Sequence, residues 1–326
     1  MTPYQKSGNC GRFFVNVKSP HASDYLKFMR GLLVYACSTM PEGHTLHRQA
    51  RDQTRSIAGQ VLRVCSPQGR FQTGAAELDG KRLLRVEAAG KHLLYRFDDA
   101  PTLHVHLGLF GKFKLHLNPP PEPRGAVRVR FTGTHHTIDL AGPNQCELLN
   151  EDDVGALLAR LGPDPLRDDA DPRAAWQRIR RSRSPIGLLL MDQSVVSGIG
   201  NIYRTELLWR LRVHPKMPGN ALTRPKFNRL WKDAVALLNV GVKYNRIITV
   251  DLKRSRAPAS KLRQHERVNI FNRSTCPRCQ GPVTRFELAT RRVFACERCQ
   301  PLPVCANDPK SAPADASGLP HFLAGL

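Results

Sequence analysis

Two Cys-x-x-Cys pairs, Cys276-Pro-Arg-Cys279 and Cys296-Glu-Arg-Cys299, stand sixteen residues apart near the C-terminal end of the 326-residue chain. No other feature constrains the fold as much, because this is the arrangement of a four-thiolate zinc site on a β-hairpin, and zinc sites of that kind are usually structural. Between the pairs, Gln280-Gly281-Pro282 reads as a turn, and residues 283–288 and 291–295 read as two short strands. Ala289-Thr290 with Arg291-Arg292 forms a basic tip, suited to phosphate or groove contact. One structural Zn²⁺ ion held by Cys276, Cys279, Cys296 and Cys299 is expected.

Charge points the same way. Fifty Lys+Arg against 27 Asp+Glu give a net charge of +23, a surface that attracts polyanions, so nucleic acid is the expected partner. The other five cysteines, Cys10, Cys37, Cys65, Cys146 and Cys305, have no framework spacing, which fits a reducing cytosol. No run of about eighteen apolar residues exists to span a membrane. Residues 25–37 are apolar but interrupted by Lys27 and Arg30, leaving 31–37 at the short limit of a signal-peptide core. A cytoplasmic, nucleoid-associated monomer is expected, given a bacterial source.

After Met40-Pro41-Glu42-Gly43, a helical segment places Leu46, Ala50 and Ile57 on one face and stops at Gly59. Residues 60–65, 81–87, 92–97, 103–106, 112–117, 127–131 and 137–140 read as strands separated by glycine turns, so residues 41–150 form a two-layer β-sandwich with flanking helices. Lys91 stands at a turn, where a lone lysine is ordinarily exposed. His104, His106, His135 and His136 lack a nearby carboxylate set in the sequence and read as ordinary surface or core residues rather than a metal site. Residues 161–169, rich in Pro, Gly and acid, read as a linker. Helical periodicity then dominates residues 171–242. Within it an apolar helix, the turn Gly198-Ile199-Gly200-Asn201 and a second amphipathic helix follow one another. Amides at such a helix start can receive a phosphate. The basic runs 178–183 and 253–256 suit diffuse attraction to a nucleic-acid backbone. Beyond Gln300 the composition turns to Pro, Ala, Ser and Gly, which has no need of a fixed structure.

These motifs, in this order from Met40 to about Gln300, resemble the formamidopyrimidine-DNA glycosylase and endonuclease VIII (Fpg/Nei) family, most closely its actinobacterial Nei-like branch. The resemblance implies that Pro41, freed by removal of Met40, is an amine nucleophile that attacks C1′ of a damaged nucleotide, and that Glu42 protonates the opening sugar. It implies that Lys91 and Asn201 bind phosphate and that Leu109 and Phe110, enclosed by Gly108 and Gly111, fill the void left by a flipped base. Arg291, five residues before Cys296, stands where the family has its catalytic arginine, with Arg292 adjacent as the alternative register. Two departures stand out. Thr45 occupies a position where many relatives carry a second glutamate, and residues 268–275 lack the Tyr-Gly-Arg-x-Gly approach to the ribbon.

Inside a polypeptide the nitrogen of Pro41 is a tertiary amide and no nucleophile. Initiation at Met40 is therefore expected, with proteolytic maturation or an inactive protein as alternatives. The expected organisation is an α+β chain: an extension at 1–39 outside the mature enzyme, a catalytic β-sandwich domain at 40–160 and a linker at 161–172. A helix-two-turn-helix domain at 173–267, a zinc ribbon at 268–300 and an unstructured tail at 301–326 follow. The implied activity is that of a bifunctional glycosylase and AP lyase on damaged DNA, removing oxidised bases, preferentially pyrimidines, with β,δ-elimination. The rival is a non-catalytic DNA-binding protein that keeps the helical motif and the ribbon.

Overall fold

The computed structural model describes residues 41–255 and 257–302. The expectations placed on residues 1–40, including Cys10 and Cys37, and on residues 303–326, including Cys305, lie outside the described residues.

Helix α1 (Gly43–Ile57) buries Gly43, Leu46, Ala50, Gln53 and Ile57 along one stripe, the three-and-four spacing of a helix against a core. Ala58 ends it in extended conformation, and Gly59 follows at φ +77°. The strands β1 (Arg63–Cys65), β2 (Leu83–Ala89), β3 (His92–Phe97), β4 (Thr102–His106), β5 (Lys112–Leu117), β6 (Val127–Thr132), β7 (His136–Ala141) and β8 (Gln145–Leu149) make two four-stranded antiparallel sheets. Their orders are β1-β6-β7-β5 and β2-β3-β4-β8. Leu93, Tyr95, Leu103 and Val105 of one sheet meet Val129, Phe131, Ile138 and Leu140 of the other in the sandwich core. The Tyr95 and Phe131 rings stack at 5.3 Å, and the Tyr95 hydroxyl donates to Gln53 Oε1 at 2.6 Å. A phenol buried this deeply needs such a partner.

Three elements were not read from the sequence: α2 (Gln72–Leu78), β8 and α3 (Glu151–Arg160). β8 is an edge strand with no fully buried residue; Cys146 and Leu148 turn toward the sandwich core between the exposed Gln145 and Glu147, an alternation only four residues long. β2 also runs to Ala89, two residues beyond its expected end, which brings the strand up to the Gly90-Lys91 turn.

The helical half contains α4 (Pro172–Arg180), the single turn α5 (Ile186–Leu189), α6 (Asn201–Arg210) and the long α7 (Arg224–Tyr244). Their apolar faces form a second core around Leu190, Val196, Ile199, Tyr203, Leu207 and Leu230. α1 packs on both β2 and α7 and so joins the two halves. The hairpin β9 (Thr284–Leu288) and β10 (Arg291–Ala295) forms the ribbon, and β10 packs on α6. The fold is therefore α+β with a sandwich, a helical domain and a ribbon. Among the described residues, no helix is long and apolar enough to cross a membrane.

Candidate active site

Glu42 is the N-cap residue of α1, yet its side chain makes no cap to that helix. It turns instead to the start of α6. Oε2 accepts from the Gly200 N–H and Oε1 from the Ile202 N–H, both at 2.9 Å, and the Tyr203 N–H lies 3.4 Å from Oε2. α6 has no side-chain cap of its own, so its orphan N–H groups and positive dipole end meet a carboxylate drawn from the other half of the molecule. Gly200 allows this approach, since a Cβ there would lie 2.3 Å from Glu42 Cδ. Only 3% of Glu42 is exposed. Burial raises its pKa above the ordinary glutamate value, against the opposing pull of Lys91 and the three N–H groups.

Lys91 is half-buried in the turn between β2 and β3 rather than free in solvent. Burial lowers its pKa, Glu42 works against that, and the positive charges of Arg291 and Arg204 add to the lowering. The turn itself is held by Asp164. Oδ2 of that buried carboxylate accepts the Gly90 N–H at 2.7 Å and stands 2.7 Å from His47 Nε2 on α1, while Oδ1 accepts the Leu166 N–H at 2.9 Å. Asp164 lies in the segment read as a linker and ties α1, the Lys91 turn and the start of the helical half together. Gly90, at φ +59°, has room for no side chain, because a Cβ would come within 2.8 Å of Ser197 Cβ.

Arg204 was not singled out from the sequence. It is fully buried on α6, donates from Nη1 to the Gly187 carbonyl at 3.0 Å, and donates from Nη2 to Asn201 Oδ1. Burial above all brings its pKa down to about 10, with Glu42 opposing and Arg291 contributing. The available signal was a pair of charges, Arg204 and Glu206, inside a segment 202–209 whose other residues are mostly apolar. Asn201 then uses its amide twice, accepting from Arg204 and donating Nδ2 to the Arg292 carbonyl at 3.0 Å. One N–H of that amide is left for a ligand. The two arginines of the hairpin tip are not equivalent. Arg291 is half-buried and bears on the charges of both Lys91 and Arg204, whereas the Arg292 side chain is exposed. Glu42, Lys91, Arg204 and Arg291 thus share one electrostatic neighbourhood, and Pro41 is the chain neighbour of Glu42.

The β4–β5 loop separates its apolar residues into two pairs. Leu107 and Phe113 are buried in the sandwich core, while Leu109 is 56% and Phe110 79% exposed at the tip. The Gly111 N–H closes the loop on the Leu107 carbonyl at 2.9 Å.

In the ribbon, the Sγ atoms of Cys276, Cys279, Cys296 and Cys299 all lie within 4.8 Å of one another, with Cys276–Cys299 at 3.9 Å and Cys279–Cys296 at 3.5 Å. Zinc bound tetrahedrally at about 2.3 Å requires sulfur separations of about 3.8 Å, so the four thiols fit that ion. Trp209 of α6 packs in the small ribbon core with its Nε1 3.5 Å from Cys276 Sγ. Residues 268–275 approach the ribbon through Glu206, whose buried carboxylate accepts from the N–H groups of Asn269, Ile270 and Phe271, each at 2.8 Å.

At the histidines a carboxylate lies closer than the sequence suggests. His104 does have a carboxylate partner: its Nδ1 is 2.9 Å from Glu147 Oε1, and its Nε2 is 2.9 Å from His92 Nδ1. The partner comes from β8, the strand not read from the sequence. Among the described residues, the four cysteines are the one group placed to hold a metal ion.

Comparison with known proteins agrees with this architecture. The family model described as the formamidopyrimidine-DNA glycosylase N-terminal domain matches residues 40–146, and that of the formamidopyrimidine-DNA glycosylase H2TH domain matches residues 161–252. The chain is 45% identical over 267 residues to Endonuclease 8 1 of Mycobacterium tuberculosis, covering 80% of this chain and 100% of the relative. It is 30% identical over 242 residues to a formamidopyrimidine-DNA glycosylase of Thermomicrobium roseum, covering 68% and 82% respectively. The crystal structure of Lactococcus lactis Fpg bound to DNA containing N7-benzyl-Fapy-dG shares the fold at a TM-score of 0.67 and 24% identity, over 80% of this chain and 100% of that one. Identity of 45% along the full length of one relative, with both domain models matched in order, means that the chain belongs to the formamidopyrimidine-DNA glycosylase and endonuclease VIII family of DNA repair glycosylases.

Proposed function

We propose that the protein is a bifunctional DNA glycosylase and AP lyase that removes oxidised bases, preferentially pyrimidines, using the amine of Pro41. The observation that carries this reading is the buried Glu42 carboxylate at the N-terminus of α6, beside Lys91 and next in the chain to Pro41. The N-terminal family model begins its match at residue 40, which agrees with an active form that starts at Pro41. In that form the neutral amine attacks C1′, the base departs as Glu42 supplies a proton to the opening sugar, and the resulting iminium permits elimination of the 3′ and then the 5′ phosphate. Lys91, Asn201 and Arg291 hold the phosphates around the lesion, and Leu109 and Phe110 occupy the space vacated by the flipped base. A single chain supplies every group named, so a monomer suffices, and a cytoplasmic, nucleoid-associated enzyme is the form proposed.

Duplexes carrying thymine glycol or 8-oxoguanine test the function. The expected result is faster excision of thymine glycol and strand cleavage leaving a one-nucleotide gap with phosphate at both ends. Base release without strand cleavage would contradict the lyase assignment, and tight binding without either reaction would favour a non-catalytic DNA-binding protein.

Two further results are expected at the ribbon. Arg291→Ala should weaken lesion-duplex affinity about ten- to hundredfold, the weight of charge-assisted hydrogen bonds of about 1.5–3 kcal/mol, and Arg292→Ala should do far less. Titration of both variants against one labelled duplex gives the ranking, and the reverse order would move the register by one. The Zn²⁺ ion is structural in this reading, so chelation or Cys279→Ser should unfold the ribbon and abolish tight DNA binding while the sandwich stays folded. The sandwich core contains no ribbon residue. Far-UV circular dichroism should keep its sheet signal while Trp209 fluorescence moves to the red, and unchanged DNA binding by metal-free protein would refute the role.

A further inference from the structure

The far end of α6 carries a second site that the lesion chemistry does not use. The helix ends with the Arg212 N–H on the Trp209 carbonyl at 3.2 Å and the Val213 N–H on the Leu208 carbonyl at 3.0 Å, with Arg212 itself at φ +55°. This is the left-handed closing position of a helix, where glycine is favoured because a Cβ is strained there. An exposed arginine at such a place gains nothing from its backbone, so its side chain is the feature to explain.

Arg212 lines a cleft of about 430 Å³ together with Arg278, Arg298, Cys279, Cys299 and Pro301. The two knuckles, Cys276-Pro-Arg-Cys279 and Cys296-Glu-Arg-Cys299, each place an arginine third, and both of these arginines face this cleft. Arg278 is fixed in advance: its guanidinium lies 4.2 Å from the centre of the Trp209 ring and donates to the Trp209 carbonyl at 3.2 Å. Among the described residues, none of the three arginines is in an ion pair, and no carboxylate lines the cleft. Pro301 gives the cleft one apolar wall.

We propose that this cleft docks a short acidic peptide segment bearing an apolar residue, presented by a partner protein while DNA occupies the opposite end of α6. Guanidinium groups match carboxylates in paired hydrogen bonds, and the Pro301 wall takes an apolar side chain, for which a DNA phosphate has no counterpart. Asn201 and Arg210 stand nine residues apart on the helix, about 14 Å at 1.5 Å per residue, so the two ligands need not compete. The proposal is independent of which lesion the enzyme removes.

The test is fluorescence anisotropy on the zinc-loaded full chain, with a labelled hexapeptide of four glutamates and two leucines and its counterpart with glutamines. The acidic peptide should bind at least about tenfold more tightly than the glutamine peptide, since charged hydrogen bonds are about twice as strong as neutral ones. Arg298→Gln and Arg212→Gly should each weaken it about five- to tenfold and leave lesion-duplex affinity unchanged. Arg212→Gly carries a second readout. Relief of the left-handed strain should keep Tm equal or raise it by about 1–3 °C, so lost binding cannot be ascribed to lost folding. Equal binding of the two peptides, or undiminished binding by both variants, would overturn the proposal. Full displacement of the peptide by lesion duplex would overturn it in favour of a DNA-phosphate site. Faster zinc release by Arg298→Gln with peptide binding intact would mean that the arginines serve only as counter-charges to the thiolates.

Discussion

Replacing Glu42 by Gln should slow base excision by about 10²- to 10⁴-fold, the usual contribution of a positioned acid or base, and should slow cleavage at an already abasic site far less. Base departure is the step that needs a proton delivered to the sugar, and an abasic site has passed it. The pH dependence follows from the burial of Glu42. Its pKa is raised, so the proton it donates is present at low pH and is lost as pH climbs through that raised value, giving excision a falling limb. The Pro41 amine works in the other direction, gaining reactivity as rising pH removes its own proton, near the 7.7–8.0 of an ordinary α-amino group. The parent should show a bell, and the variant should keep the rising limb and lose the falling one that belongs to Glu42.

A glutamine also changes the packing at α6. Its amide offers one acceptor where the carboxylate offers two, so the Gly200 or the Ile202 N–H goes unmet at about 1–3 kcal/mol. Single-turnover rates on an oxidised-pyrimidine duplex and on an abasic duplex, measured across pH on one preparation, separate the two effects. Equal losses on both substrates would show that the carboxylate serves the fold and not the proton.

The ribbon was legible because metal chemistry fixes its spacing, and α1 was legible because its stripe and its Gly59 stop are local. The exposed pair Leu109 and Phe110 could be read as well, since a glycine-bracketed apolar tip has few structural uses. Other features depended on contacts that no local pattern encodes. Glu42 meets Gly200 across 158 residues of sequence, and Asp164 meets Gly90 across 74. An acid at a helix start reads as a cap for that helix, yet this one caps another. β8 alternates only from Gln145 to Leu148 and buries none of its residues fully, a pattern too short and shallow to read as a strand, and without it the Glu147 partner of His104 stays hidden. Arg204 and Glu206 look like breaks in an amphipathic helix until the structure buries both and surrounds them with donors and acceptors.

Pro41 as the nucleophile makes start choice decisive for activity. Protein that begins at Met40 should lose that methionine and expose a secondary amine. With abasic-site DNA the amine condenses with the sugar aldehyde, releasing water and forming an iminium, which borohydride reduces to a stable amine bond between protein and DNA. The full 326-residue chain holds the same nitrogen in an amide and should give no adduct. The most direct measurement is borohydride trapping and intact mass on the same preparation, for both forms. Quantitative trapping of the Pro41 form with none of the uncleaved chain is the result this account requires. Efficient trapping by protein whose mass shows all 326 residues in place would contradict it, and would turn attention to another amine such as Lys91.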